Sequence, residues 1–176
     1  MHHLLATTDS CTPRKGILLF FCSIFFCSIS PLQISANTTY HQNQSPIPSK
    51  PPHYRGLLVT ANNTIWVSGT RGSVLRGIFN DSNNLQWDTC KTQYPRKDFR
   101  DIWALDQNTA VAMSIADSAV IIKTTDGGQT WQTVYHDETP NIFLDVIEID
   151  PKTGIGIILG DPLNGHFKSL FTHNFG

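Results

Sequence analysis

Two arginine residues have the type and spacing that best indicate binding chemistry in this chain. Arg55 and Arg100 each follow an aromatic residue, Tyr54 or Phe99, and they lie 100 − 55 = 45 residues apart. A guanidinium group can hold a carboxylate through two parallel hydrogen bonds. A second interpretation stays open, in which Arg100 and its neighbour Asp101 form ion pairs that hold structural units together.

The sequence predicts no catalytic residue, no metal site and no cofactor. Tyr94, Tyr135 and Glu138 have no spacing that indicates an activated nucleophile, and the seven histidines do not have the spacing of metal ligands. The glycines from Gly154 to Gly160 depart from the pattern of a dinucleotide-binding loop. A formal net charge of −1 gives no reason to expect nucleic acid as a partner, so we predict a protein or carbohydrate ligand.

Residues 1–36 are predicted to be a targeting segment. The strands that would position Arg55 and Arg100 must therefore begin after this segment. Arg14 and Lys15 precede an apolar run of about thirteen residues, Ile17 to Ile29, which is too short to span a bilayer comfortably. Ser35 and Ala36 supply small residues at a cleavage point. We therefore predict an exported protein, periplasmic or secreted, which touches a membrane only if this segment stays uncleaved.

Removal of that segment would leave one cysteine, Cys90, because the other three lie within residues 1–36. No disulfide can then form within the mature chain. Residues 37–53 are rich in Pro, Ser, Asn and Gln, so they are predicted to be a disordered linker.

From Tyr54 onward the chain repeats itself. Three similar stretches begin at Tyr54, Phe99 and Phe143, separated by 99 − 54 = 45 and 143 − 99 = 44 residues. Each repeat alternates short apolar runs with turns rich in Asn, Asp, Gly and Pro, and none has a helical period. Four short antiparallel strands in about 45 residues are typical of a β-propeller blade. The predicted fold is therefore an all-β propeller with blades at 54–98, 99–142 and 143–176.

The most distinctive turn, from Thr124 to Trp131, reads Thr-Thr-Asp-Gly-Gly-Gln-Thr-Trp. Thr124 and Asp126 can accept hydrogen bonds from nearby backbone N–H groups, and Gly127 and Gly128 can adopt positive φ. We predict a tight hairpin turn between the third and fourth strands of the second blade. The stretch Thr172 to Gly176 reads as a second, shorter copy of it.

Propeller geometry predicts where a binding site lies. Loops that enter the innermost strand share one face with loops that join the second and third strands. The predicted binding rim on that face consists of five charged residues: Arg55, Arg71, Arg100, Asp117 and Asp161. The Thr124 to Trp131 turn is expected on the opposite face.

Residues 54–176 resemble a known family of propellers. Thr124, Asp126, Gly128, Thr130 and Trp131 match the Asp-box, also called the bacterial neuraminidase repeat. The pattern around them is similar to seven-bladed propellers related to the photosystem II assembly and stability factor, including exported sialidase-like relatives. The resemblance implies a binding or assembly scaffold without enzymatic activity. The alternative it leaves open is a sialidase-type exo-glycosidase whose remaining catalytic blades are missing from this chain. Such an enzyme needs a cluster of arginines, an acid/base Asp and a Tyr activated by a Glu.

The third repeat stops after its copy of the turn, before the Thr-Trp pair that would follow. Closed propellers need about four to eight blades, and this chain supplies about two and three-quarters of an expected seven. We therefore expect the sequence to be the N-terminal fragment of a longer protein. A complete small protein that builds its ring from several copies is the alternative.

Overall fold

Eleven β-strands form the regular structure of the residues described by the computed structural model, which are 51–80, 84–115 and 118–176. All of these residues fall within one compact unit, Gln44–Gly176. The predicted signal segment and most of the predicted linker lie outside the described residues, and so does Asp117. The strands are β1 (Tyr54–Val59), β2 (Thr64–Gly69), β3 (Ser73–Phe79), β4 (Leu85–Lys91), β5 (Asp98–Ala104), β6 (Ala110–Ile115), β7 (Ala119–Thr124), β8 (Gln132–Asp137), β9 (Leu144–Ile149), β10 (Gly156–Leu163) and β11 (His166–Thr172).

The strands form three separate antiparallel sheets, each a meander in chain order. Sheet β1-β2-β3-β4 is called blade 1, sheet β5-β6-β7-β8 blade 2, and sheet β9-β10-β11 blade 3. The first strands of the blades pack against one another, β1 on β5 and β5 on β9. This is the arrangement of neighbouring blades around a propeller axis. The predicted all-β propeller fold is confirmed, whereas the total of seven blades stays a prediction.

The core lies between blades rather than within them. One buried cluster fills the space between blades 1 and 2, and a second fills the space between blades 2 and 3. Blade 2 contributes side chains to both clusters, because successive side chains of a strand point to opposite faces of its sheet. In β7, for example, Val120 and Ile122 face blade 1, whereas Ala119 and Ile121 face blade 3. A strand covered on both faces reads as a continuous apolar run, as β6 and β7 do.

Trp66 is the largest fully buried side chain between blades 1 and 2. It shares its cluster with alanines of blade 2, including Ala110 and Ala112. Small side chains leave room for the indole, so the interface is filled by a large residue on one sheet and small residues on the other. The indole Nε1 donates a hydrogen bond to the carbonyl oxygen of Asp106 at 2.9 Å, which ties blade 1 to the β5–β6 turn.

A cationic side chain of each of the first two blades also reaches the turns of the next blade. The guanidinium of Arg76 in β3 donates to the carbonyl oxygen of Gln107 at 3.1 Å. The ammonium group of Lys123 in β7 donates to the carbonyl oxygen of Gly176 at 3.1 Å. Arg76 is the cross-strand partner of Trp66 in blade 1, and Lys123 is the cross-strand partner of Val111 in blade 2. Arg76 and Lys123 therefore occupy the same position in successive blades.

Candidate functional site

The innermost strand of each blade contains a β-bulge at the same place. Arg55 in β1, Arg100 in β5 and Asp145 in β9 each lie at a shift in strand register. They are evenly spaced, since 100 − 55 and 145 − 100 both equal 45. A bulge re-aims the side chain of the extra residue, so three charged side chains project from the start of the inner strands.

The repeat starts Phe99 and Phe143 predict that Leu144 takes the place of Arg100 in the third blade, and this register shows that the prediction is wrong. Leu144 and Phe99 are both fully buried, with 0% exposure, and both come directly before the bulge. Leu144 therefore corresponds to Phe99, and the bulged residue of blade 3 is Asp145. The repeat offset between these blades is 45 residues, rather than the 44 that the aromatic residues suggest.

Arg100 is engaged with the next blade. Its Nε donates to Oδ1 of Asp145 at 2.8 Å. Its neighbour Asp101 makes a second connection, because Oδ2 of Asp101 accepts a hydrogen bond from the backbone N–H of Ile147 at 3.1 Å. Both contacts join blade 2 to blade 3, as the second sequence interpretation of Arg100 and Asp101 proposes. The side chains of the ion pair remain 41% and 53% exposed, so the pair itself contributes little stability.

Three other predicted rim residues, Arg55, Arg71 and Asp161, lie at the same end of the sheets. Arg55 is exposed, and within the described residues its guanidinium makes no hydrogen bond or ion pair. Arg71 is exposed in the β2–β3 loop, with a φ of 62°. Asp161 is also exposed, but the prediction that it lies in a loop is wrong: it lies within β10, close to a register irregularity, and its N–H donates to the carbonyl oxygen of Phe143. Asp117 lies outside the described residues.

A polar cleft of about 630 Å³ adjoins this rim, formed by residues 93–98 and Ile115. Sequence analysis missed it. The connection between β4 and β5 forms its wall and is fastened to the β2–β3 loop, because the backbone N–H of Arg71 donates to Oδ1 of Asp98 at 3.2 Å. Lys97 reaches Ser118, whereas Arg96 is exposed. The consecutive charges of Arg96, Lys97 and Asp98 at the start of β5 were the sequence signal that could have indicated this cleft. Together, Arg55, Arg71 and Arg96 form what we call the cationic rim.

The Thr124 to Trp131 turn lies at the opposite end and is closed by its own side chains. Oδ2 of Asp126 accepts a hydrogen bond from the hydroxyl of Thr130 at 2.6 Å, and Oδ1 of Asp126 accepts one from the hydroxyl of Thr124 at 2.8 Å. Gly127 and Gly128 have φ values of 73° and 83°. The backbone N–H of Gly127 donates to the carbonyl oxygen of Asn108 in the β5–β6 turn. The turn is thus a structural closure of the β7–β8 hairpin, away from the cationic rim.

The shorter copy of this turn has the same geometry. The hydroxyl of Thr172 donates to Oδ1 of Asn174 at 3.1 Å and accepts from the N–H of Gly176 at 2.8 Å. The corresponding bonds of Thr124 are 2.8 Å to Asp126 and 2.9 Å from Gly128. The mapping of the two stretches onto each other is therefore confirmed in hydrogen bonding as well as in sequence.

Hydrogen bonds from Thr130 and Thr124 lower the pKa of Asp126 from 3.8 to about 2. Because the folded pKa lies below the unfolded value, the ionised carboxylate stabilises the fold above about pH 4, and this contribution is lost as the pH falls towards 2. We expect the Asp126→Asn variant to melt at a lower temperature than the parent at pH 7. Its melting temperature should also fall less than that of the parent between pH 4 and pH 2, as measured by circular dichroism.

Glu138→Gln is the control for the loss of one carboxylate, because the Glu138 carboxylate accepts no hydrogen bond within the described residues. It should keep the melting temperature of the parent at pH 7. If the melting temperatures of Asp126→Asn and of the parent fall equally between pH 4 and pH 2, the hydrogen-bonded carboxylate does not stabilise the turn.

A second charged cluster joins the outer strands of blades 2 and 3. Oδ2 of Asp137 accepts hydrogen bonds from Nζ of Lys168 at 2.9 Å and from the hydroxyl of Tyr135 at 2.8 Å. Hydrogen bonds from Thr139 and Lys168 lower the pKa of Asp137, and the bond to Asp137 raises the pKa of Lys168. Tyr135 is thereby held as a hydrogen-bond donor to Asp137 within β8, and Asp137 makes the contact with Lys168 of blade 3.

The described residues do not assemble the groups that a sialidase-type glycosidase needs. The three bulge positions hold two arginines and one aspartate, and Arg100 is paired with that aspartate. Cys90 is buried against Gly127, and burial raises the pKa of its thiol to about 11, which makes it a poor nucleophile at neutral pH. Among the described residues, no three His, Cys, Asp or Glu side chains lie close enough together to hold a metal ion. Nor do those residues include a helix that could cross a membrane.

The solved structures that are similar to this chain include two of YCF48. One is YCF48 from Cyanidioschyzon merolae, with a TM-score of 0.48 and 17% sequence identity over 64% of this chain. The other is described as YCF48 bound to D1 peptide, with a TM-score of 0.49 and 20% identity over 77% of this chain. This chain spans 36% and 42% of the lengths of those two chains. No family model matches the sequence, and no curated protein matches it either.

Proposed function

We propose that this chain is part of an exported propeller scaffold that binds a protein partner through its cationic rim. The observation that carries the proposal is the contrast between two arginines at the same bulge position. Arg100 is neutralised by Asp145 at 2.8 Å, whereas Arg55 is exposed and makes no ion pair within the described residues. Arg96 presents a further exposed side chain at the same end of the sheets, where Arg71 also lies.

The chemistry of the rim favours a ligand with carboxylate groups. Exposed guanidinium groups bind carboxylates through charge-assisted, bidentate hydrogen bonds. The adjoining cleft along residues 93–98 has a volume of about 630 Å³, which is enough for part of a short peptide. We therefore propose an acidic segment of a protein as the ligand, in preference to a carbohydrate.

A binding role without catalysis agrees with the contacts of the titratable residues. Arg100, Asp137 and Lys168 are used to join blades, and the Cys90 thiol is buried. The Thr124 to Trp131 turn has the residues and the internal hydrogen bonds expected of an Asp-box. We propose that it marks the chain as a relative of the assembly-factor-like, sialidase-like propellers. Export is supported by Arg14, Lys15 and the apolar run that follows them.

Arg55→Ala should weaken binding of a fluorescein-labelled acidic peptide about tenfold, which corresponds to about 1.4 kcal/mol for the loss of one charge-assisted contact. Arg100→Ala is the matched control, because that side chain already pairs with Asp145, and it should change the dissociation constant less than about threefold. Fluorescence anisotropy at two salt concentrations would measure both, with weaker binding expected at higher salt.

The probe has its own controls. A peptide with Gln in place of Glu and Asp should not bind, and free N-acetylneuraminic acid should not compete at equal concentration. Equal binding of the acidic and neutral peptides, or equal effects of Arg55→Ala and Arg100→Ala, would overturn the proposal. Competition by the acidic sugar would instead support a carbohydrate ligand.

A further inference from the structure

Arg100 uses only part of its hydrogen-bonding capacity in the contact with Asp145. A guanidinium group carries five N–H donors, and within the described residues only the Nε–H of Arg100 makes a hydrogen bond, to Oδ1 of Asp145 at 2.8 Å. The two side chains remain 41% and 53% exposed, so water and a ligand can reach both. Asp145 therefore offsets the charge of Arg100 but leaves the two Nη groups without a hydrogen bond in that part of the chain.

The carboxylate of Asp145 is separable from the packing of blade 2 on blade 3. Leu144, the preceding residue, is fully buried in the cluster between these blades. On the other side of Asp145, the backbone N–H of Ile147 donates to Oδ2 of Asp101 at 3.1 Å. These contacts hold the backbone of β9 beside β5. Because an exposed ion pair adds little to stability, removal of the carboxylate should leave the two blades in place.

The next blade gives Arg55 no partner of this kind. The bulge residue of blade 3, Asp145, pairs with the bulge residue of blade 2. The bulge residue of blade 2 is Arg100, which has the same charge as Arg55. A Cβ atom built on Gly56, the residue after Arg55, would lie 2.8 Å from Cα of Asp101, so β1 and β5 meet directly beside the two bulges. Arg55 and Arg100 therefore extend from neighbouring points of the inner strands.

We propose that Asp145 limits the affinity of the cationic rim for an acidic ligand, because it competes with the ligand for the guanidinium of Arg100. This inference rests on the function proposed above and concerns the regulation of the same site. A ligand carboxylate that approaches Arg100 meets the carboxylate of Asp145 already in place and is repelled by it. A carboxylate bound at Arg55 therefore gains no contact from the neighbouring guanidinium. Asp145 thereby weakens the binding of an acidic segment, which favours its release.

The Asp145→Asn variant removes the charge and keeps the size of the side chain. We expect it to bind a fluorescein-labelled glutamate oligopeptide about tenfold more tightly than the parent, because one guanidinium charge is released beside the ligand. In an Arg100→Ala background, the same substitution should change the dissociation constant less than about threefold. A purely structural role of Asp145 would not produce this dependence on Arg100. Fluorescence anisotropy of the parent, both single variants and the double variant would measure the coupling.

Two further variants control for net charge. Glu148 is exposed on the same strand as Asp145 and makes no ion pair within the described residues. Glu148→Gln removes one negative charge at a distance from Arg100, so it should change the affinity less than about twofold. Asp145→Glu retains the charge and should gain less affinity than Asp145→Asn. Thermal melting followed by circular dichroism should give similar midpoints for the parent and Asp145→Asn, since the pair is exposed.

The results distinguish this inference from the proposed function. If the parent binds the peptide through Arg55 but Asp145→Asn gains no affinity, or gains as much without Arg100, the inference is overturned and the proposed function stands. If binding by the parent does not depend on Arg55, while Asp145→Asn gains affinity through Arg100, the proposed function fails and the inference stands. Absence of binding by either chain overturns both. Loss of the fold in Asp145→Asn would show that the carboxylate is structural, which also overturns the inference.

Discussion

Trp66→Ala should lower the free energy of unfolding by about 3–5 kcal/mol, the range for truncating a large buried aromatic side chain. Trp66 is 0% exposed, and its neighbours in blade 2 include Ala110 and Ala112, which are too small to close the cavity. The variant also loses the hydrogen bond to Asp106. Because this indole fills the space between blades 1 and 2, its loss should weaken the packing of one sheet on the other. Urea denaturation followed by circular dichroism would measure the change.

Trp87→Ala is the matched control, because it removes the same side chain from the exposed face of β4. Trp87 is 41% exposed, so its removal should cost less than about 1 kcal/mol, within the range of surface substitutions. Trp66→Phe should fall between the two, since it retains most of the buried area but loses the indole N–H. Equal effects of Trp66→Ala and Trp87→Ala would contradict the conclusion that the space between blades is the core.

The strands could be predicted from the sequence because each blade repeats the same pattern. Alternating burial in β10, and nearly full burial in β6 and β7, follow from whether a sheet has a neighbour on one face or on both. The Thr124 to Trp131 turn was predictable for a local reason, since side chains within eight residues make all of its defining hydrogen bonds. Patterns set by near neighbours, or by a repeat, can be read from one sequence.

The rim was harder to predict because bulges change the register. The aromatic residues Phe99 and Phe143 suggest an offset of 44 residues, but the buried residue of blade 3 at that place is Leu144, which shifts the repeat by one. Because of this shift by one residue, Asp145 lies at the bulge of blade 3 where an arginine would be expected. Asp145 can then form the ion pair with Arg100. The cleft along residues 93–98 was missed because a loop that connects two blades has no periodic pattern to reveal it.

Both ends of the three-blade stack expose apolar side chains. Leu57 and Val59 of β1 are 66% and 59% exposed, and Phe167 and Phe171 of β11 are 80% and 70% exposed. In blade 2, by contrast, β6 and β7 are covered on both faces. The stability of the described residues therefore comes from two inter-blade interfaces. A substitution between blades should have a larger effect than the same substitution on an outer face.

Gly128→Ala should lower the free energy of unfolding by roughly 2–5 kcal/mol. Gly128 has a φ of 83°, and the left-handed conformation costs other residues about 1–2 kcal/mol. The added Cβ would also lie 2.4 Å from Sγ of Cys90, and overpacking of this kind typically costs about 1–3 kcal/mol. Since Gly128 also donates to Thr124 at the centre of the turn, the displaced backbone would weaken the contact between blades 1 and 2. Urea denaturation of the variant and the parent would give the difference.

Gly165→Ala separates the backbone cost of a positive φ from the cost of the clash with Cys90. Gly165 has a similar φ of 79°, but an added Cβ would meet no atom within 4 Å, so this variant should show only the backbone cost of about 1–2 kcal/mol. The excess cost of Gly128→Ala then measures the clash with Cys90. Adding Cys90→Ala to Gly128→Ala should recover part of that excess, because it removes the sulfur atom, and a double-mutant cycle would give the coupling. If the two glycine variants lose equal stability, or if Cys90→Ala brings no recovery, the fit of this turn against blade 1 does not limit the residue at position 128.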